Sequence, residues 1–372
     1  MKDFLYTYLF RLLEVTSWMF IFFSYSHIAG LENYSLIVYP LFLSSVALSF
    51  VSSCNTLIIN EISKSQKINM SVYYLIILLV LLIFSVFAYI NTISIFVVLF
   101  FLFSGIRNIE YATYRGYGHT KKLTINSFLV NIAGLIILFF VDDYIGFFKV
   151  LCVIKTLEIV FLKFTMPSYV SITRLKKIDY GFFIENRFSY IFLLFPLIIA
   201  PLDKGLMIDI FDGDILGFYQ LNDQINTGIY TLIMSVIYIR IPEIFSALRN
   251  DSKKIIIIKY LKYLIMLPMI FVISNFIIWT ILNSELTFDE KIFPILLSSF
   301  YKSILSLLAL TVTIYLVSLN KIKPVLIILF LVAIFILTIV FIKNLNLALS
   351  FIIFISVFLL MLNQLIKFIK TS

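Results

Sequence analysis

The chain has 372 residues, of which 62% are hydrophobic and only 13% charged, whereas soluble domains carry about 25% charged residues. A bilayer-spanning helix takes about 20 apolar residues, so twelve spans would use about 240 positions and leave about ten for each connection. That excludes a soluble enzyme domain hung on a membrane anchor. A net charge of +9 would suggest nucleic acid as a partner in a soluble protein. Here the basic residues sit between apolar runs, where topology accounts for them and nucleic acid is not expected.

In chain order the apolar runs predict spans over 8–28, 34–59, 71–89, 92–112, 123–141, 145–166, 183–202, 214–239, 260–282, 292–319, 324–342 and 345–366. No charged residue occurs from Ile68 to Ile106. That stretch requires two helices and a tight turn, which we place at Asn91-Thr92. Cys54 and Cys152 lie inside apolar runs and read as buried thiols. His27 and His119 are too far apart in sequence to suggest a metal cluster. Asp209-x-x-Asp212-Gly213-Asp214 reads as a solvated acidic turn. Phosphate-loop, dinucleotide-binding and nucleophile-elbow motifs are absent from the sequence, so neither a cofactor nor an enzymatic activity is expected.

Of the 29 basic residues, Lys149, Lys204, Lys291 and Lys343 fall on or towards the odd-numbered junctions and Lys302 lies within a span. Most of the rest cluster at the even-numbered junctions and the termini or on the span ends that flank them. This bias predicts a multi-pass protein with both termini and the 107–122 connection in the cytoplasm. The opposite junctions are acidic, including Leu202 to Asp214. The basic run Arg174-Leu175-Lys176-Lys177 divides the chain into an N-terminal lobe (1–173), a cytoplasmic linker (174–182) and a C-terminal lobe (183–372). Six spans fall in each lobe, and the second helix of each ends alike, in Asn60-Glu61-Ile62 and Pro242-Glu243-Ile244. Parallel halves are a transporter signature, with the substrate path between them. The expected fold is therefore an all-α integral membrane protein of about twelve transmembrane helices, in two six-helix lobes around a central cavity.

Charges inside spans are costly and mark pairs or functional positions. Arg11 and Glu14 share a helical face three residues apart, as do Lys155 and Glu158. Each couple reads either as a self-neutralising pair or, for Arg11, as a cation facing the cavity. The eighth span opens with Gln220, Asp223, Gln224 and Thr227 at helical spacing. A stripe of amides and a carboxylate cannot rest on lipid. It serves as interhelical glue or, the preferred expectation, lines a hydrated cavity that contacts sugar hydroxyls. Lys302 lacks an acid within one helical turn and needs an acid from another helix or an anionic ligand. Asn131 and Asn275 are expected to hydrogen-bond between helices.

The combination of Arg11, Gly30-x-Glu32-x-Tyr34, Pro196, Asp203, Leu216-Gly217-Phe218-Tyr219-Gln220 and Pro242 resembles the O-antigen and capsular polysaccharide flippases, the polysaccharide transporters related to MATE-type multidrug exporters. The resemblance implies a bacterial inner-membrane transporter. Its substrate would be an undecaprenyl-pyrophosphate-linked oligosaccharide, moved from the cytoplasmic to the outer leaflet by alternating access. Cavity cations such as Arg11 and Lys302 would meet the pyrophosphate. Membrane lipids would surround the chain, and polymerase and chain-length proteins are the partners such a transporter implies. Proton or sodium coupling stays open at this stage, with Asp223 or Glu14 as candidate ion sites. A small-molecule exporter of the same superfamily is the main rival. A multi-span polymerase or glycosyltransferase is disfavoured by the short external junctions.

Overall fold

The computed structural model describes residues 2–65, 70–165, 190–191, 193–211, 213–239, 263–281, 288–318, 333 and 347–371. Outside the described residues lie the 174–182 linker, the Pro242-Glu243-Ile244 echo, the basic stretch 240–262 and most of the predicted 324–342 span. Every regular element among the described residues is helical. The helices are α1 (Lys2–Ser35), α2 (Val38–Ser52), α3 (Cys54–Ser65), α4 (Met70–Ile90), α5 (Ile95–Gly116), α6 (Thr120–Leu138), α7 (Tyr144–Thr165), α8 (Leu202–Ile208), α9 (Gly213–Ile239), α10 (Leu267–Ile281), α11 (Phe288–Ser318) and α12 (Leu347–Thr371). Among the described residues, four stretches are long and apolar enough to cross a membrane: Val38–Ile59, Met70–Ile90, Ile95–Gly116 and Thr120–Leu138. Shorter apolar helices include Leu267–Ile277, Ile292–Leu308 and Ile352–Lys367.

Residues Met1–Leu202 form one compact unit. Its central helix is α5, against which α2, α3, α4 and α7 pack, while α1 lies along α6. The two faces of α4 explain the surroundings it needs. Val72, Tyr73, Ile77, Phe84 and Ala88 are buried, yet the outward face is equally apolar, with Leu82 66% and Ile83 68% exposed. A soluble amphipathic helix would be polar there; this one has a face suited to lipid. The connection from α4 to α5 falls at Asn91-Thr92, as the charge-free stretch predicted. Thr92 turns through φ 54, and the Ser94 hydroxyl caps α5 by accepting from the Phe96 amide.

Two glycines shape this unit. Gly30 breaks α1 at φ 78, a conformation that side-chain-bearing residues avoid. Gly134 lets α6 approach α7: a Cβ there would stand 2.3 Å from Ile154 Cδ1. Aromatic rings fill the space nearby, with Tyr25 stacked on Phe147 at 4.3 Å between centroids.

Residues Asp203–Ser372 form the second unit. Here α9 and α10 pack on α11, and α12 packs on its other flank. From Leu297 to Leu308 every position of α11 is buried, the pattern of a helix surrounded by protein on all sides. Ser298, Ser299, Ser303 and Ser306 keep that helix slim enough for close neighbours. Asn226 donates to Ser298 Oγ at 2.8 Å, and Asn275 donates to Asn226 Oδ1 at 2.9 Å and to Ser299 Oγ at 3.1 Å. These bonds tie α9, α10 and α11 together. Asn275 thus takes the interhelical role expected of it. In the first unit Asn131 does the same, donating from α6 to Ser17 Oγ on α1 at 3.0 Å.

Candidate functional site: two buried charge clusters

Each unit holds one cluster of charged side chains within apolar helices. In the first unit Arg107 is the hub. It lies inside α5, which runs past the predicted 92–112 span as far as Gly116; of the predicted 107–122 connection, residues 107–116 are therefore helical and the turn to α6 is confined to 117–119. The Arg107 guanidinium forks onto Glu158 of α7, Nε to Oε2 at 3.1 Å and Nη2 to Oε1 at 3.3 Å. Two parallel bonds of this kind are the strongest geometry open to an arginine. Its Nη2 also donates to Ser127 Oγ of α6 at 3.1 Å and stands 3.6 Å from Glu14 Oε1 of α1. The plane of the guanidinium lies over the Tyr111 ring, 3.6 Å from the centroid.

The two predicted couples sit around this hub. Arg11 pairs with Glu14. Lys155 Nζ lies 2.9 Å from Glu158 Oε2 and 4.3 Å from the Trp18 ring centroid. Ser127 donates its hydroxyl to Glu158 as well. Arg115 follows Arg107 and Tyr111 on one face of α5, at i, i+4 and i+8. It stands within electrostatic reach of Arg11, Glu14 and Arg107, and its Nε has no hydrogen-bond partner among the described residues. Among the described side chains, Arg11, Arg107, Arg115 and Lys155 thus gather with Glu14 and Glu158. The side chains of Arg11 and Arg107 retain 20% and 18% exposure.

The second cluster is arranged differently. Lys302 finds its acid on another helix: Nζ lies 2.7 Å from Asp223 Oδ1. Lys204 of α8 takes the other oxygen, Nζ to Oδ2 at 2.9 Å. Asp203, also of α8, accepts from the Tyr219 hydroxyl at 2.6 Å. Two carboxylates and two ammoniums therefore balance, and all four groups are buried. Gln220 is fully buried, with neither amide atom hydrogen-bonded among the described residues. Gln224 and Thr227, on the same helical face, are half-buried.

Of the seven candidates from sequence, Arg11 and Glu14 fall in the first cluster and Asp223 and Lys302 in the second. Gln220, Gln224 and Thr227 continue along the α9 face that carries Asp223. Sequence reasoning missed Arg107 and Arg115, which it read as loop cations. Their spacing with Tyr111 was the available signal. It also read Asp203 and Lys204 as junction residues, because nothing in the adjoining sequence hints at their burial. Neither a family model nor a curated protein matches the chain.

Proposed function

We propose that the chain is a bacterial inner-membrane flippase with about twelve spans and two six-helix lobes. It would carry undecaprenyl-pyrophosphate-linked oligosaccharides from the cytoplasmic to the outer leaflet by alternating access. The observation that carries this reading is the gathering of Arg11, Arg107, Arg115 and Lys155 inside apolar helices. Four cations drawn together in such surroundings are costly and suit an anionic ligand. A pyrophosphate supplies several charges at once, and arginine forks match phosphate oxygens in pairs. The isoprenoid tail stays in lipid while the headgroup crosses about 30 Å of hydrocarbon. Amides such as Gln220 and Gln224 suit sugar hydroxyls, because an amide both donates and accepts.

The same gathering of cations disfavours an exporter of cationic drugs. The discriminating experiment places the purified chain in vesicles with either a lipid-linked oligosaccharide or a cationic dye. The flippase reading expects headgroup translocation that Arg107→Gln abolishes, and no dye transport. Dye efflux without headgroup translocation would replace it with the exporter reading. Direction is tested separately: Thr120→Cys and a C-terminal cysteine should resist an impermeant thiol reagent in intact cells.

A further inference from the structure

In the second cluster the two carboxylates are treated unequally. Asp223 has an ammonium on each oxygen, Lys302 at 2.7 Å and Lys204 at 2.9 Å. Asp203 is equally buried, and among the described residues the hydrogen bond to its carboxylate comes from a neutral group: Tyr219 donates to Oδ2 at 2.6 Å. Its Oδ1 has no hydrogen-bond partner among the described residues. The groups that face it are Lys204 on its own helix, Tyr219 and Asp223 on α9, and Tyr301 and Lys302 on α11. Burial, and then the neighbouring Asp223 charge, push the Asp203 carboxyl from 3.8 up to about 6 against the pull of the lysines. Of the two buried acids, the one without its own cation is the one that neutralises.

We propose that Asp203 is a reversible proton-binding site exchanging with the aqueous phase at the α8 end of the second unit. The step is simple. A proton from hydronium forms an O–H bond at Oδ1, converting carboxylate to carboxylic acid and releasing water; loss of the proton reverses it. Sodium fits poorly, because the ammoniums of Lys204 and Lys302 already occupy the cluster and repel a further cation. Asp203 lies in the junction that charge patterning places outside the membrane. If the chain is a transporter, as proposed above, this carboxyl is the coupling site in place of Asp223 or Glu14. The site itself does not depend on that reading.

The experiment uses the full chain in lipid nanodiscs, without substrate. Infrared difference spectra are recorded as pH is raised, following the C=O stretch of a protonated carboxyl. The expected result is a band that disappears as pH passes about 6 and is missing from Asp203→Asn. Tyr219→Phe removes a bond to the charged form, so it should move the midpoint upward. A band that persists in Asp203→Asn, or a midpoint that Tyr219→Phe leaves in place, overturns the proposal. Thermal stability gives a second readout. A carboxyl raised from 3.8 to about 6 lends stability at low pH that is lost as pH rises through that window. Wild type should lose stability across it relative to Asp203→Asn, and parallel pH profiles would contradict the site. Absence of lipid-linked oligosaccharide transport would overturn the flippase reading while leaving the infrared band intact.

Discussion

The two clusters differ in balance and in access. In the first cluster four cations stand with Glu14 and Glu158 among the described side chains, and Arg11 and Arg107 keep a fifth or so of their side chains exposed. In the second, Lys204 and Lys302 are matched by Asp203 and Asp223, and side-chain exposure is 9% or less for the three groups of the ion pairs. A balanced network satisfies itself and reads as structure, with the proposed proton site at its weakest carboxylate. The more exposed, cation-rich cluster is the one proposed to take an anionic ligand. Buried charge alone therefore does not mark a binding site.

Substitutions can break this contrast, because the second cluster should suffer when Asp223, Lys204 or Lys302 loses its charge, whereas the response of the first should depend on sign. The largest effect is expected from Asp223→Asn. It strands Lys204 and Lys302 in a sealed site and should cost about 3–5 kcal/mol in unfolding measured in detergent. Glu158→Gln in the first unit removes the fork under Arg107 and the partner of Lys155. Glu14 and Ser127 remain, so a loss of about 2 kcal/mol is expected in the same assay. Arg115→Gln should act in the opposite direction. It relieves repulsion from Arg11 and Arg107 and should raise stability by about 1 kcal/mol. Arg11→Ala should cost about 0.5 kcal/mol, since this arginine is partly solvated. Arg11→Ala combined with Glu14→Ala should return near wild-type stability but not full transport. Full export by that double variant would reduce Arg11 to a neutraliser of Glu14.

What could be foreseen from sequence was local. The Asn91-Thr92 turn followed from a charge-free stretch too long for one helix. The couples Arg11–Glu14 and Lys155–Glu158 followed from helical spacing, as did the common face of Gln220, Asp223, Gln224 and Thr227. Asn131 and Asn275 were legible as single amides in apolar runs, because such groups must find a partner on a neighbouring helix. The hub was not legible. Arg107 and Glu158 are 51 positions apart, and only the helical spacing of Arg107, Tyr111 and Arg115 separates arginines in the last turns of α5 from those in a basic connection. Lys204 was equally hidden: a lysine beside an external acidic junction looks solvated until α8 folds it against Asp223.

The account turns on the claim that the gathered cations of the first unit hold a phosphate headgroup. Its most direct test is equilibrium binding of a short-chain isoprenyl pyrophosphate to the purified chain in nanodiscs, with the matching isoprenyl alcohol as control and thermal melting recorded for every variant. The account predicts that Arg115→Gln weakens pyrophosphate binding by about tenfold, or about 1.4 kcal/mol, while melting no lower than wild type. Lys302→Gln, where it remains folded, should bind like wild type. Undiminished binding by Arg115→Gln, together with loss of binding in a folded Lys302→Gln, would contradict the account and move the anion site to the second unit.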